Sequence, residues 1–241
     1  MSAPAGEGEA GDARPGNAVP AGGAWIPGPT RPQLDGDAVD VWRADLDAAG
    51  DEVVASLSDD ERERAARFAR EQDGIRWARA HGILRALLGL YLDVDPHALR
   101  FVTGRHGKPA LPDAQLRFNL SHSAGAALCA FALGREVGVD VELPRRALDA
   151  VALARRAFGD DEARRLEALD PATRARELLR LWTRHEALLK CQGTGIAGAL
   201  PLGAGRPAPW VVELDAPAPG AAAALALDGP PCELRCFEWR G

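Results

Sequence analysis

Apolar and polar positions alternate where the folded part of this chain begins, with Val39 and Val41 leading into Trp42 and Leu46, and this two-residue period predicts a strand. The period then lengthens. Ser58 and Glu61 form a capping box for a helix to about residue 70, and Asp73-Gly74 breaks the pattern. A second helix runs to about residue 92, with Trp77, Ala80, Leu84, Leu87, Leu88 and Tyr91 recurring at core-facing spacing and Arg76, Arg79 and Arg85 near its polar boundary. Short apolar stretches at 99–103, 116–120, 126–133 and 137–141 read as strands, with a turn at 104–109. Helices follow at 149–158, 160–168 and 171–191, the last with Asp170 as N-cap, Pro171 at the first helical position and Gly193 just past the end. Strands return at 210–214, 222–227 and 232–239.

Each half thus contains strands and an amphipathic helix, which predicts an α+β fold with a pseudo-twofold arrangement of two similar α/β lobes. Residues 1–33, rich in Ala, Gly and Pro, lack the large apolar groups that would offset the entropy of ordering and are expected to form a flexible tail outside the fold. Residues 34–134 are then an N-terminal lobe and 135–241 a C-terminal lobe.

The 241 residues are 46% hydrophobic, enough to bury a sizeable core. A net charge of -6 supplies no global basic field for nucleic acid or an anionic membrane. The longest apolar run, 124–133, is too short to span a bilayer, and the N-terminus lacks a basic start and an apolar stretch, so a cytoplasmic location is expected. Four cysteines, Cys129, Cys191, Cys232 and Cys236, match neither a disulfide framework nor a zinc pattern and read as ordinary thiols.

The chemistry starts at Asp140 and Glu142. Two apart on a strand, they share a face while Val139 and Val141 enter a core on the other. An edge strand with a polar face reads the same way. Glu186, however, adds a third carboxylate on a helix, with Lys190 one turn further along the stripe of Trp182 and in favourable ion-pair order. Oxygen-only ligands suit magnesium, and a nearby lysine suits phosphate.

Four segments in fixed order, Gly107-Lys108-Pro109, Phe118-Asn119-Leu120-Ser121-His122-Ser123, the Asp140 and Glu142 strand and the 182–190 helix, together resemble the 4'-phosphopantetheinyl transferases of the two-lobed branch. The resemblance extends over about residues 57–202 and implies an active site in the cleft between the lobes. It implies that Asp140, Glu142 and Glu186 bind Mg2+ with the pyrophosphate of coenzyme A, the co-substrate. A serine of an apo acyl or peptidyl carrier protein then attacks the phosphate next to pantetheine, 3',5'-ADP leaves, and Glu186 and Lys190 are catalytic. It assigns coenzyme A contacts to Arg64, Arg76, Lys108, Ser121, His122, Asp140 and Lys190, in a monomer with no nucleic-acid or membrane partner.

Two positions depart from the family pattern: His185 stands where Lys is usual and Ala124 where Gly commonly follows the Ser-His-Ser triplet. The stretch 193–198 satisfies Gly-x-Gly-x-x-Gly, yet it follows a helix and is expected to be a helix cap and mobile loop that borders the carrier site, not a dinucleotide motif. The carboxylate trio alone also allows a magnesium-dependent nucleotide phosphohydrolase, and the cations alone a non-catalytic coenzyme A-binding module.

Overall fold

The computed structural model describes residues 23–104, 107–144, 149–194 and 208–241. In chain order the elements are β1 (Ile26–Pro27), β2 (Ala38–Asp45), α1 (Asp59–Ala66), α2 (Glu71–Leu92), β3 (Val102–Thr103), β4 (Pro109–Ala110), β5 (Leu116–Ser123), β6 (Ala126–Leu133) and β7 (Val137–Glu142). Then follow α3 (Ala150–Phe158), α4 (Asp160–Glu167), α5 (Pro171–Gln192), β8 (Trp210–Leu214), β9 (Ala222–Leu227) and β10 (Glu233–Glu238). Five strands form one sheet in the order β1-β10-β2-β6-β5, three form a second in the order β7-β9-β8, and β3 pairs with β4. The fold is mixed α/β. Its last strand, β10, lies parallel beside β2, inside the sheet otherwise built by the first half of the chain.

Strand alternation decides the layers. Trp42 and Ala44 of β2 and Cys129 and Phe131 of β6 pack with Ile83, Leu84, Leu87 and Leu88 of α2. The intervening Val39, Val41, Leu128 and Ala130 meet Val137, Val139, Val141 and Leu225 of the second sheet. Beyond that sheet, Ala187 and Cys191 of α5 pack on Ala224 and Ala226 of β9. The order from one side to the other is therefore helix, sheet, sheet, helix. A buried carboxylate ties β2, β10 and α2 together: Asp40 accepts from Arg235 Nε at 2.6 Å and from the Tyr91 hydroxyl at 2.5 Å, and Trp42 Nε1 donates to that hydroxyl at 2.8 Å.

The two sheets meet at their edge strands, β5 and β7, through side chains. Asn119 Oδ1 accepts from the Val139 N–H at 2.8 Å, Ser121 Oγ from Val141 at 3.4 Å and Ser123 Oγ from Leu143 at 3.2 Å. Three polar side chains at strand period thus satisfy edge N–H groups that would otherwise be buried unpaired.

Several expectations are corrected. Residues up to 33 are not all outside the fold: Ile26 and Pro27 pair with Phe237 and Glu238, and Trp25 packs against the core between the sheets, so a short apolar pair suffices when a parallel edge is on offer. Gly74 does not break a helix, because α2 already begins at Glu71; a Cβ there would meet the Ala65 carbonyl at 2.5 Å, so this glycine marks close packing against the end of α1. Arg85 is buried, not at a boundary, since Glu61 holds its Nε at 2.7 Å and the Pro96 carbonyl its Nη1 at 2.8 Å. The strand expected at 99–103 shrinks to β3. Residues 1–22 of the expected tail and 195–198 of the glycine-rich stretch lie outside the described residues, while Gly193 caps α5 in the left-handed region at φ 66°.

Ala124, in the β5–β6 turn, has φ 46°. A left-handed Cβ costs about 1 kcal/mol. Ala124→Gly is therefore expected to raise stability by roughly that amount, read as a higher urea midpoint at constant slope.

Candidate active site

β7 carries the centre of the site, and its polar face is covered. α5 lies over it, leaving Asp140 only 4% and Glu186 only 8% exposed. Lys190 does not pair with Glu186. Its Nζ donates to Asp140 Oδ1 at 2.6 Å, Ser121 Oγ at 3.0 Å and the Val139 carbonyl at 3.3 Å. Ser121 also donates to Asp140 Oδ1 at 2.8 Å, and Ser123 donates to Glu142 Oε2 at 2.9 Å.

This leaves an imbalance of acceptors. Asp140 Oδ2 and Glu186 Oε1 are buried with no hydrogen-bond partner among the described residues. Burial pushes the Glu186 carboxyl above its ordinary value, with the charge of Asp140 adding to the rise, that of Glu142 adding less, and Lys190 opposing it. The three carboxylates are thus electrostatically coupled, yet no group of three metal-ligating side chains closes among the described residues. Two of the three expected ligands present unsatisfied oxygens.

The remaining expected residues distribute around this centre. His122 points to the other side of β5 from Ser121, toward α2, where its ring stands edge-on to His81 at a centroid distance of 6.4 Å. His81 stacks on Trp77 at 3.7 Å, and the Arg64 guanidinium lies 5.3 Å from the Trp77 ring centroid. Lys108, presented by the turn at Gly107 (φ 85°), binds Glu136 at 2.8 Å and the Val137 carbonyl at 3.0 Å at the start of β7. Arg76 forms a two-pronged pair with Asp47 at 2.8 and 2.6 Å. Both residues line a cavity of about 550 Å³ with Gly125, Leu143 and Trp239. Asp140, Glu186, Lys190 and Ser121 therefore come together, Glu142 lies two residues along β7 with Ser123 as its partner, and Arg64, Arg76, Lys108 and His122 stand apart from this centre, each with partners of its own. His185 does not face this centre; it packs edge-on against Phe158 at 5.5 Å, and burial lowers its pKa.

Sequence reasoning assigned no role to Asn119, Ser123, Glu136 or Asp47. The first two were legible as polar residues at strand period beside Ser121; the acidic partners of Lys108 and Arg76 carried no local signal.

Burial holds His81 neutral, its pKa lowered from 6.5 to about 4, with the Trp77 carbonyl hydrogen bond opposing the shift. The unfolded chain takes up this proton first, so stability is lost as pH falls from 6.5 toward about 4. Urea midpoints measured across that window should slope less in His81→Gln than in the native chain.

The fold and this cluster define a mixed α/β protein with a buried carboxylate and lysine centre between two sheets and a helix. Comparison with known proteins agrees. The family model described as the 4'-phosphopantetheinyl transferase superfamily matches residues 136–220, which include β7 and α5. The 4'-phosphopantetheinyl transferase HetI of Nostoc sp. is 39% identical over 180 residues, covering 72% of this chain and 76% of that protein. The 4'-phosphopantetheinyl transferase Sfp of Bacillus subtilis is 29% identical over 150 residues, 62% of this chain and 65% of that one. AcpT of Escherichia coli, also named a 4'-phosphopantetheinyl transferase, is 36% identical over 110 residues, 45% of this chain and 55% of that one. The chain belongs to the 4'-phosphopantetheinyl transferase superfamily.

Proposed function

We propose that the β7 and α5 cluster holds the pyrophosphate of coenzyme A while a serine hydroxyl of an apo acyl or peptidyl carrier protein attacks the phosphorus next to pantetheine. The new bond is serine oxygen to phosphorus, the bond broken is that phosphorus to the bridging oxygen, and 3',5'-ADP leaves. The observation that carries this reading is the pair of buried, unpartnered carboxylate oxygens on Asp140 and Glu186. An all-oxygen donor set with two unsatisfied oxygens fits Mg2+, with Glu142 the third ligand. When bound, such a cation neutralises charge on the phosphoryl oxygens and orients them.

The chain's own groups do the rest. Lys190 supplies a cation beside Asp140, where it meets phosphoryl charge, and Ser121 orients both. Glu186, its basicity raised by burial, accepts the serine proton. Arg64, Arg76, Lys108 and His122 contact the 3'-phosphate and the outer pyrophosphate oxygens; for Arg76 and Lys108 this means exchanging a carboxylate partner for a phosphate. In the same reading the α2 and α5 halves are pseudo-twofold partners, which is supported by a 22-residue helix on the outer face of each sheet.

A cytoplasmic monomer without nucleic-acid or membrane partner completes the proposal, in keeping with the acidic net charge of -6 and with the described residues, where no helix is long and apolar enough to cross a membrane.

Incubation with coenzyme A, Mg2+ and apo carrier proteins, read by intact mass, tests the proposal. A phosphopantetheine mass gain on the carrier supports it; release of nucleotide without that gain indicates hydrolysis, and neither product indicates a binding module. Separately, 3'-dephospho-coenzyme A should show a raised KM. Loss of a charge-assisted contact of about 1.5 to 3 kcal/mol corresponds to a rise of roughly 10- to 150-fold. An unchanged KM would remove the 3'-phosphate role of Arg64, Arg76, Lys108 and His122.

A further inference from the structure

We propose that Gly138 is a positioning residue for transfer: lacking a side chain, it sets the height of α5 above β7 and so the separation of Glu186 and Lys190 from Asp140. The proposal rests on the site reading above and adds to it a residue that makes no contact with substrate.

A Cβ built on Gly138 would lie 2.1 Å from the Ala187 carbonyl oxygen, 2.3 Å from the Cys191 nitrogen and 3.0 Å from the Cys191 Cα. All three are backbone atoms, which cannot rotate aside. They belong to the residues that directly follow Glu186 and Lys190, so the closest approach of helix to strand falls on the two turns that carry the acting side chains. Gly138 and Asp140 are two apart and share one face of β7.

The floor continues into β9, where Ala226 is registered opposite Gly138 and Ala224 opposite Asp140. Ala187, Cys191, Ala224 and Ala226 form one buried cluster. At this height Lys190 reaches Asp140 at 2.6 Å. Any side chain at 138 lifts α5 by more than about 1 Å, since a Cβ 2.1 Å from the Ala187 oxygen must move out to ordinary van der Waals separation. A displacement of that size at a reacting centre lowers rate by about 100-fold.

The cations assigned to the 3'-phosphate and the outer pyrophosphate oxygens stand elsewhere. Arg64 is on α1, Arg76 on α2, Lys108 in the turn before β4 and His122 on β5. Lifting α5 disturbs only the Lys190 part of the coenzyme A contacts, so it should lower kcat by much more than it raises the KM for coenzyme A, a split that general destabilisation does not produce.

Gly138→Ala and the milder wedge Ala226→Val test this, with Val212→Ala as a control. Val212 is buried on the face of the same sheet that looks away from α5. Two readouts are taken: steady-state kinetics with an apo carrier protein, and the alkylation rate of Cys191, located by peptide mass. Cys191 is buried in the native chain, its thiol donating to the Glu136 carbonyl at 3.2 Å, so a lifted helix exposes it.

The expected result is faster Cys191 alkylation in a folded Gly138→Ala protein. Its kcat falls by about 100-fold while its KM for coenzyme A rises by less than about tenfold, and Ala226→Val moves the same way by less. Should Gly138→Ala fail to fold, the Ala226→Val result alone decides. Native kcat in either folded wedge, whether or not Cys191 becomes reactive, overturns the proposal, as does an equal kcat loss in Val212→Ala. Failure of the underlying site reading shows separately, as retained turnover in Glu186→Gln, because the Cys191 readout needs no catalysis.

Discussion

Glu186→Gln is expected to lower transfer by on the order of 1000-fold, the scale of losing one group aimed at transition-state charge, without lowering the thermal midpoint. The two effects have one cause. Glu186 is buried, its Oε1 has no partner among the described residues, and burial together with Asp140 raises its pKa. A charge kept under those conditions destabilises the ligand-free fold, so a neutral amide of the same shape leaves stability equal or greater. Asp140→Asn should show the same loss of transfer. Calorimetry and carrier-protein turnover on the same samples check both halves, and a folded Glu186→Gln protein with native turnover would remove Glu186 from the chemistry.

The second large effect is expected at Lys190, with the opposite sign on stability. Lys190→Met takes away the ammonium that sits 2.6 Å from Asp140 Oδ1 and leaves Ser121 as the hydrogen-bond donor to that oxygen. Breaking a buried pair from one side costs about 3 kcal/mol at the low end of the usual range, and Lys190 is partly exposed, so about 2 kcal/mol is the better expectation. Transfer should fall at least 100-fold, on the scale of losing an electrostatic stabiliser of the phosphoryl oxygens. Urea unfolding separates this variant from Glu186→Gln: the lysine variant is less stable, the glutamine variant is not. Equal stability of the two would mean that Lys190 does not compensate Asp140.

Much of this fold was legible because period decides it. The alternation of Val39 and Val41 with Trp42 and Leu46 gave β2, and the Ser58 and Glu61 capping box is present in both directions. Asp170, Pro171 and Gly193 marked α5 to within a residue. Boundaries failed where a glycine served packing instead of punctuation, as at Gly74, and where a two-residue strand depended on an edge built by the other end of the chain, as at Ile26 and Pro27.

In the candidate site the residues were legible but their pairings were not. Lys190 lies at ion-pair spacing from Glu186 along the helix, a local rule, yet tertiary packing turns it to Asp140 on the neighbouring strand. The burial of Asp140 was hidden for the same reason: nothing within β7 tells that α5 will cover it. Gly138 was visible only as one small residue in a strand.

The side-chain seam between β5 and β7 bears on how such a chain can vary over time. Ser121 and Ser123 each have one hydroxyl proton, spent on Asp140 or Glu142, while the same oxygens accept from the backbone of the other sheet. One point substitution there disturbs a single rung. A single-residue insertion in β5 instead inverts the alternation beyond it, carrying Leu120 and His122 toward the carboxylates and the serines toward the α2 core. Homologous chains should therefore accumulate replacements in this segment yet keep its length, and gaps in alignments should gather in the turns on either side.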